Sequence, residues 1–252
     1  MKTKINPCSK ALNGRQPVIF FWRGQVLYKL VLIDADDTLF DFEKAETTAL
    51  QQTFASSEIP GFDADVIDRY TAINKALWVE LEKGLIDNIR LRVERFRRLF
   101  VACNIRLDAE PISSRYVQEL GKCSFLLEDA EEVCRYLHAK YTVVMVTNGI
   151  KEVQYSRLEH SSIKNYIHDI VVSEDIGISK PDPRIFGHAL ERVGLNDKKS
   201  TLMIGDSLSS DIQGGINFGI DTCWLNPGNV PADPSFKPTY KIKQIKELFD
   251  IL

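Results

Sequence analysis

Apolar and polar positions alternate with two different periods along the chain, and the change of period marks its organisation. "LYKLVLI" (27–33) is a short apolar run that ends on Asp34. That pattern predicts a central parallel strand whose carboxyl end carries function. Residues 43–122 then contain no convincing strand. In "DADVIDRYTAINKALWVELEKG", Val66, Tyr70, Ile73, Leu77 and Leu81 recur at steps of three and four, predicting an amphipathic helix that Gly84 stops. "DNIRLRVERFRRLFVACN" repeats the pattern with Ile89, Val93, Phe96 and Phe100 behind a capping Asp87. "ISSRYVQELGKCSFLL" predicts a further, less regular helix, so residues 43–122 read as an all-helical block.

Beyond it, helices and strands alternate: "EDAEEVCRYLHAK" and "YTVVMVT", "KEVQYSRLEHS" and "DIVVS", "PRIFGHALERVG" and "STLMIG", "SSDIQGGINFG" and "DTCWL", then a closing helix "IKELFDIL". Such alternation means a doubly wound α/β domain, a parallel sheet with helices on both faces. The helical block is inserted after its first strand. Residues 1–26, with Pro7, Gly14, Pro17 and Gly24 and little periodicity, are read as an extension outside the main fold.

Composition narrows the partners. Hydrophobic content of 44%, 27% charged residues and a net charge of -3 are ordinary for a globular protein and offer no basic surface for nucleic acid. The nearest candidate, "RLRVERFRRLF", spreads its arginines around a helix and reads as a solvated face. "VIFFW" is too short for a signal-peptide core, and Lys29 interrupts "VLYKLVLI", which excludes a membrane span there. Cys8, Cys103, Cys123, Cys134 and Cys223 show no metal-ligand or CxxC spacing, and a reducing cytoplasm is the expected compartment.

The chemistry is concentrated where strands end. "DADDTLFDF" (34–42) puts four aspartates into nine residues directly after a buried run. Two unit charges about 4 Å apart repel by roughly 4 kcal/mol at an effective dielectric near 20, so a cation is expected among them. Other strand ends carry Thr147-Asn148-Gly149, Lys180 in "ISKPDP", and Asp206 and Asp211 in "GDSLSSD". Ligands of open parallel sheets bind beyond such ends. Carboxylates without Cys or His favour Mg²⁺, and Lys180 supplies the positive charge a phosphate needs. An ionised aspartate can attack phosphorus, and a carboxyl two residues on can protonate the leaving oxygen and then deprotonate water. Thr147 and the amides of Asn148 and Gly149 suit the phosphoryl oxygens.

"DADDT", "VTNG", Lys180-Pro181 and "GDSLSSD", in that order, resemble the four motifs of the haloacid dehalogenase superfamily over residues 27–252. The resemblance implies a catalytic core over 27–42 and 123–252, a Rossmann-like fold, and a helical cap over 43–122 hinged near 41–43 and 122–128. It implies Asp34 as nucleophile, Asp36 as general acid/base, and Thr147 and Lys180 as phosphate binders. Mg²⁺ would be held by the Asp34 carboxylate, the Asp36 carbonyl and Asp206, with Asp211 nearby. "FDFEKA", "NKALWVELEKG" and "GGINFGIDTCWLN" are similar to the pyrimidine 5′-nucleotidase branch. That likeness implies nucleoside monophosphate substrates; separately, a monomer or weak homo-oligomer is expected. "CSFLLEDA" replaces the Pro-Gly expected after the cap.

The rival readings differ in single features. A dehalogenase needs no acid at position 36 and no Mg²⁺. A phosphomutase, or a phosphatase for a sugar phosphate or phosphoglycolate, shares the core motifs and differs in the cap. A phospho-accepting receiver lacks the helical insertion, and a silent scaffold would have lost a catalytic group. Phe42, Asn74, Trp78 and Lys83 are the candidate substrate contacts on the cap side. Phe218 and Trp224 are read as packing, and His138, His160, His168 and His188 as structural or surface residues.

Overall fold

The computed structural model describes residues 28–59, 63–231 and 233–252. The extension expected over 1–26 lies outside the described residues, as does Leu27.

Six strands form one parallel sheet: β1 (Leu30–Ile33), β2 (Thr142–Thr147), β3 (Asp169–Val172), β4 (Thr201–Gly205), β5 (Asp221–Leu225) and β6 (Tyr240–Ile242). Their order is β3-β2-β1-β4-β5-β6. β1 is therefore central, with Ile33 in register with Met145 on one side and Ile204 on the other. β6 escaped the sequence pattern because it is three residues long and buries only Ile242.

Alternate strand residues feed two separate cores. Val31, Ile33, Val143, Met145, Leu202 and Ile204 pack with α5 (Ala130–His138) and the closing helix α10 (Leu248–Ile251). Leu30, Leu32, Val144, Val146 and Met203 pack against α8 (Pro183–Arg192) on the other face. α7 (Ser173–Ile176) and α9 (Gln213–Phe218) lend Ile176 and Phe218 to that second core, α9 being entered through a π-helical turn at Leu208–Ile212, while α6 (Lys151–Glu159) lends Leu158 to the first.

Between β1 and β2 lie α1 (Phe42–Ser56), α2 (Ala64–Glu82), α3 (Asn88–Ala102) and α4 (Ala109–Gly121). Each starts at an aspartate whose carboxylate accepts a backbone N–H of the first turn: Asp41 from Lys44, Asp63 from Val66, Asp87 from Arg90 and Asp108 from Glu110. Such caps contribute about 1 kcal/mol each. The four helices bury a core of their own around Phe54, Tyr70, Phe96, Phe100 and Tyr116. Ile150, which caps α6, and Val153 within it join that core, so the block rests on the helix that follows β2.

The arginine-rich helix α3 is more than a solvated face. Arg98 pairs with Glu80, and Arg92 grips Glu174 of α7 with two contacts of 2.6 Å. Arg95 is buried, donates to the Tyr70 hydroxyl at 3.2 Å and lies over the Tyr116 ring. Among the described residues, no helix is long and apolar enough to cross a membrane.

Candidate active site

The sheet order sends β2 and β3 to one side of β1 and β4 to β6 to the other. The end of β1 is thus the switch point at which open α/β sheets bind ligands. A cavity of about 500 Å³ opens there, and Asp34, Asp36, Thr147, Asn148, Gly149, Lys180 and Asp206 all line it.

Lys180 is the centre of the charge arrangement. Its ammonium donates to Asp34 Oδ1 at 2.5 Å and to the Val146 carbonyl at 2.7 Å, and sits 2.7 Å from Asp211 Oδ1. Burial alone would push this lysine down, but the carboxylates of Asp211 and Asp34 outweigh it and hold the ammonium above its usual range. Asp34 is itself buried, and desolvation, opposed by Lys180 and reinforced by Asp211 and Asp206, raises its carboxyl well above the ordinary value. Asp206 is pushed up to about 7 by burial, Asp211 and Asp37. One ammonium does not balance three carboxylates.

Two local devices hold this arrangement. The side-chain amide of Asn148 donates to the Lys180 carbonyl at 2.9 Å and accepts from the Lys180 N–H at 2.8 Å. This bracket fixes the lysine loop across the gap beyond β2. Asp211 is fully buried and accepts from the Ser207 N–H at 3.0 Å. It has room only because residue 205 is glycine: a Cβ there would lie 2.6 Å from the Asp211 Cβ.

Asp36 is gripped from α6. Gln154 Nε2 donates to its Oδ2 at 2.6 Å, and Arg157 Nη1 donates to its Oδ1. Neither residue was read as functional from the sequence. Beyond their place on the helix directly after Thr147-Asn148-Gly149, no sequence signal marks them, because a glutamine and an arginine one turn apart read as a solvated helix surface. Thr38, whose hydroxyl lies 3.3 Å from Asp206 Oδ1, was also missed. Trp224 packs as expected and in addition donates its indole N–H to the Asp206 carbonyl at 2.8 Å. Phe218 stacks on Phe186, in keeping with a packing role.

The cap-side candidates divide. Phe42 and Trp78 line the cavity, joined by Leu81. Asn74 and Lys83 do not. Asn74 is buried one turn before Trp78, where its amide donates to Glu46 Oε1 at 2.7 Å. Lys83 is the residue that terminates α2, beyond the cavity-facing stripe. None of the four histidines lines the cavity. His168 stacks on His138 and accepts from the Val143 N–H.

The Asp34, Asp206 and Asp211 carboxylates bring their ligand atoms within 4.8 Å of one another. All-oxygen donors carrying excess negative charge suit a hard divalent cation.

Comparison with known proteins agrees with the geometry. Residues 28–219 match the model of the haloacid dehalogenase-like hydrolases. The chain is 36% identical over 225 residues to the HAD-hydrolase YfnB of Bacillus subtilis, covering 89% of this chain and 95% of that one. The crystal structure of YfnB bound to magnesium, which reveals interdomain movement, superposes with a TM-score of 0.84 over 89% of this chain and 98% of that one. The pyrimidine 5′-nucleotidases YjjG of Escherichia coli and PynA of Streptococcus pneumoniae are 33% and 36% identical, over 88% and 90% of this chain and 96% of each relative.

Proposed function

The chain belongs to the haloacid dehalogenase-like hydrolases, and from that premise we propose that it hydrolyses phosphomonoesters through a phosphorylated Asp34, with pyrimidine nucleoside monophosphates as its substrates. The observation that carries the reading is the two-sided cavity. Asp34, Lys180, Thr147 and Asp206 line it from the carboxyl end of the sheet, and Phe42, Trp78 and Leu81 form a second wall from α1 and α2.

We assign residues 27–42 and 123–252 to the catalytic core and 43–122 to the cap. Asp34, Asp206 and the Asp36 carbonyl would hold Mg²⁺, with Asp211 beside them. Bound there, the ion would neutralise phosphoryl charge and orient the transferring group. An oxygen of Asp34 attacks phosphorus; the Asp34–phosphorus bond forms and the bond to the leaving oxygen breaks. Asp36 gives that oxygen its proton. Water then attacks the same phosphorus, its proton passes to Asp36, and the bond to Asp34 breaks to release phosphate. Lys180, Thr147 and the amides of Asn148 and Gly149 bind the phosphoryl oxygens.

The wall favours a flat, uncharged leaving group. Lys180 is the single Lys or Arg among the described lining residues, and Asp34 and Asp211 already engage it. A carboxylate on the leaving group, as in phosphoglycolate, would find no countercharge. A nucleoside offers an aromatic face to Trp78 and Phe42.

The test is phosphate release from nucleoside monophosphates, sugar phosphates and phosphoglycolate, with Mg²⁺ and with EDTA. Metal-dependent turnover strongest on pyrimidine monophosphates is expected. Preference for a sugar phosphate or phosphoglycolate would discard the reading of the wall, and no release from any of them would discard the phosphatase.

A further inference from the structure

The buried face of α6 is polar where a core-facing helix would be apolar. Val153, Gln154 and Arg157 are its buried residues, and Arg157 has no exposed surface. Its guanidinium lies over the Phe40 ring, 4.4 Å from the centroid. Nη1 meets Asp36 Oδ1, and Nε donates to the carbonyl of Cys123 at 3.0 Å, in the segment that returns from α4 to the core. Gln154 completes the grip on Asp36 Oδ2, and its side chain crosses directly over Gly149, where a Cβ would lie 2.8 Å from the Gln154 Cδ. Burying a charge for one ion pair is poor value in stability, since well-packed apolar replacements are often neutral or stabilising.

We propose that Gln154 and Arg157 are positioning residues that fix the carboxylate of Asp36 beside the leaving-group oxygen and tie its position to the cap's return segment through Cys123. The proposal rests on the role given to Asp36 above. With both oxygens held by donors from one rigid helix, Asp36 cannot rotate independently of α6. A shift of the return segment moves the guanidinium, and with it the acid.

Leaving groups of different basicity test this. Uridine leaves as a poor alkoxide and needs a proton from Asp36, whereas p-nitrophenolate leaves unaided. Formation of the phosphoenzyme is measured in a single turnover, by rapid quench with uridine 5′-monophosphate and by stopped-flow release of p-nitrophenolate from p-nitrophenyl phosphate. The parent is compared with Asp36→Asn, Gln154→Leu, Arg157→Met and Arg157→Lys. General acid catalysis contributes roughly 10²- to 10⁴-fold, so mispositioning is expected to slow phosphorylation by the uridine ester at least about tenfold more than by the aryl ester. Arg157→Lys should recover part of the difference. Equal losses on both esters, or no loss, in the Gln154 and Arg157 variants while Asp36→Asn shows the bias would overturn the positioning role alone. An unbiased Asp36→Asn would remove the role of Asp36 itself, and the proposal with it. Should Arg157→Met not fold, Gln154→Leu decides, because it removes no buried charge.

Discussion

Replacing Lys180 by methionine keeps the aliphatic stem and deletes one ammonium, so its consequences follow from three contacts. Asp34 loses a donor at 2.5 Å, Asp211 a partner at 2.7 Å, and the Val146 carbonyl a donor at 2.7 Å. Breaking a buried ion pair by removing one member costs about 3–5 kcal/mol. For a domain of this size a loss of that order lowers the melting temperature by roughly 10 °C, at about 2–4 °C per kcal/mol. The pH dependence has a definite sign. A carboxyl whose folded pKa is raised contributes stability below its unfolded value and loses it as pH rises through the folded one. Asp34 is raised by burial, and Asp206 is raised to about 7 by burial and its acidic neighbours. The variant should therefore be most impaired near pH 8 and less so near pH 5.5, where a proton replaces the missing charge. Thermal unfolding in EDTA at both pH values reads the effect, with phosphate release expected to fall at least about a hundredfold. A melting temperature within a degree or so of the parent at about pH 8 would refute the charge balance drawn around Lys180.

Three further outcomes follow. Asp34→Asn should abolish turnover while leaving the circular dichroism spectrum unchanged, and parent-like phosphate release would sink the nucleophile assignment. Gly205→Ala should displace Asp211 and cut activity at least about tenfold with a modest stability loss, because the added Cβ meets a fully buried side chain; unaltered kinetics would contradict that packing. Glu46, pushed up to about 7 by burial despite Arg95 and Asn74, loses stability as pH rises through that value. Glu46→Gln should flatten the stability profile between about pH 5 and pH 8 by roughly 2 kcal/mol, and urea melts showing the parent's slope would disprove it.

The sheet and its acidic end were legible because parallel strands buried on both faces leave short apolar runs that stop abruptly at polar residues. Asp34, Thr147 and Asp206 each sit just where such a run ends, in neighbouring strands. Lys180 needed its motif as well, since it is held in a loop by the Asn148 bracket rather than by a strand. The cap side was harder to read. Asn74, Trp78 and Leu81 share one stripe of α2, yet only the last two reach the cavity, because Glu46 of α1 takes the Asn74 amide. Helical period gives a face and not what that face meets. Gln154 and Arg157 were invisible for the opposite reason: their spacing looks like a wet helix surface, and only the fold turns it inward onto Asp36.

The division of β1 between two cores makes chain length and aim a single variable. Val31 and Ile33 feed one layer while Leu30 and Leu32 feed the other. A one-residue deletion within the strand would exchange the two sets and turn the following carboxylate to the wrong side of the sheet. The turn at Gly84, between two helices and outside the cavity wall, carries no such parity and can absorb a change in length. Drift by insertion and deletion is therefore closed to the strand that ends at Asp34 and open at the outer edge of the helical block.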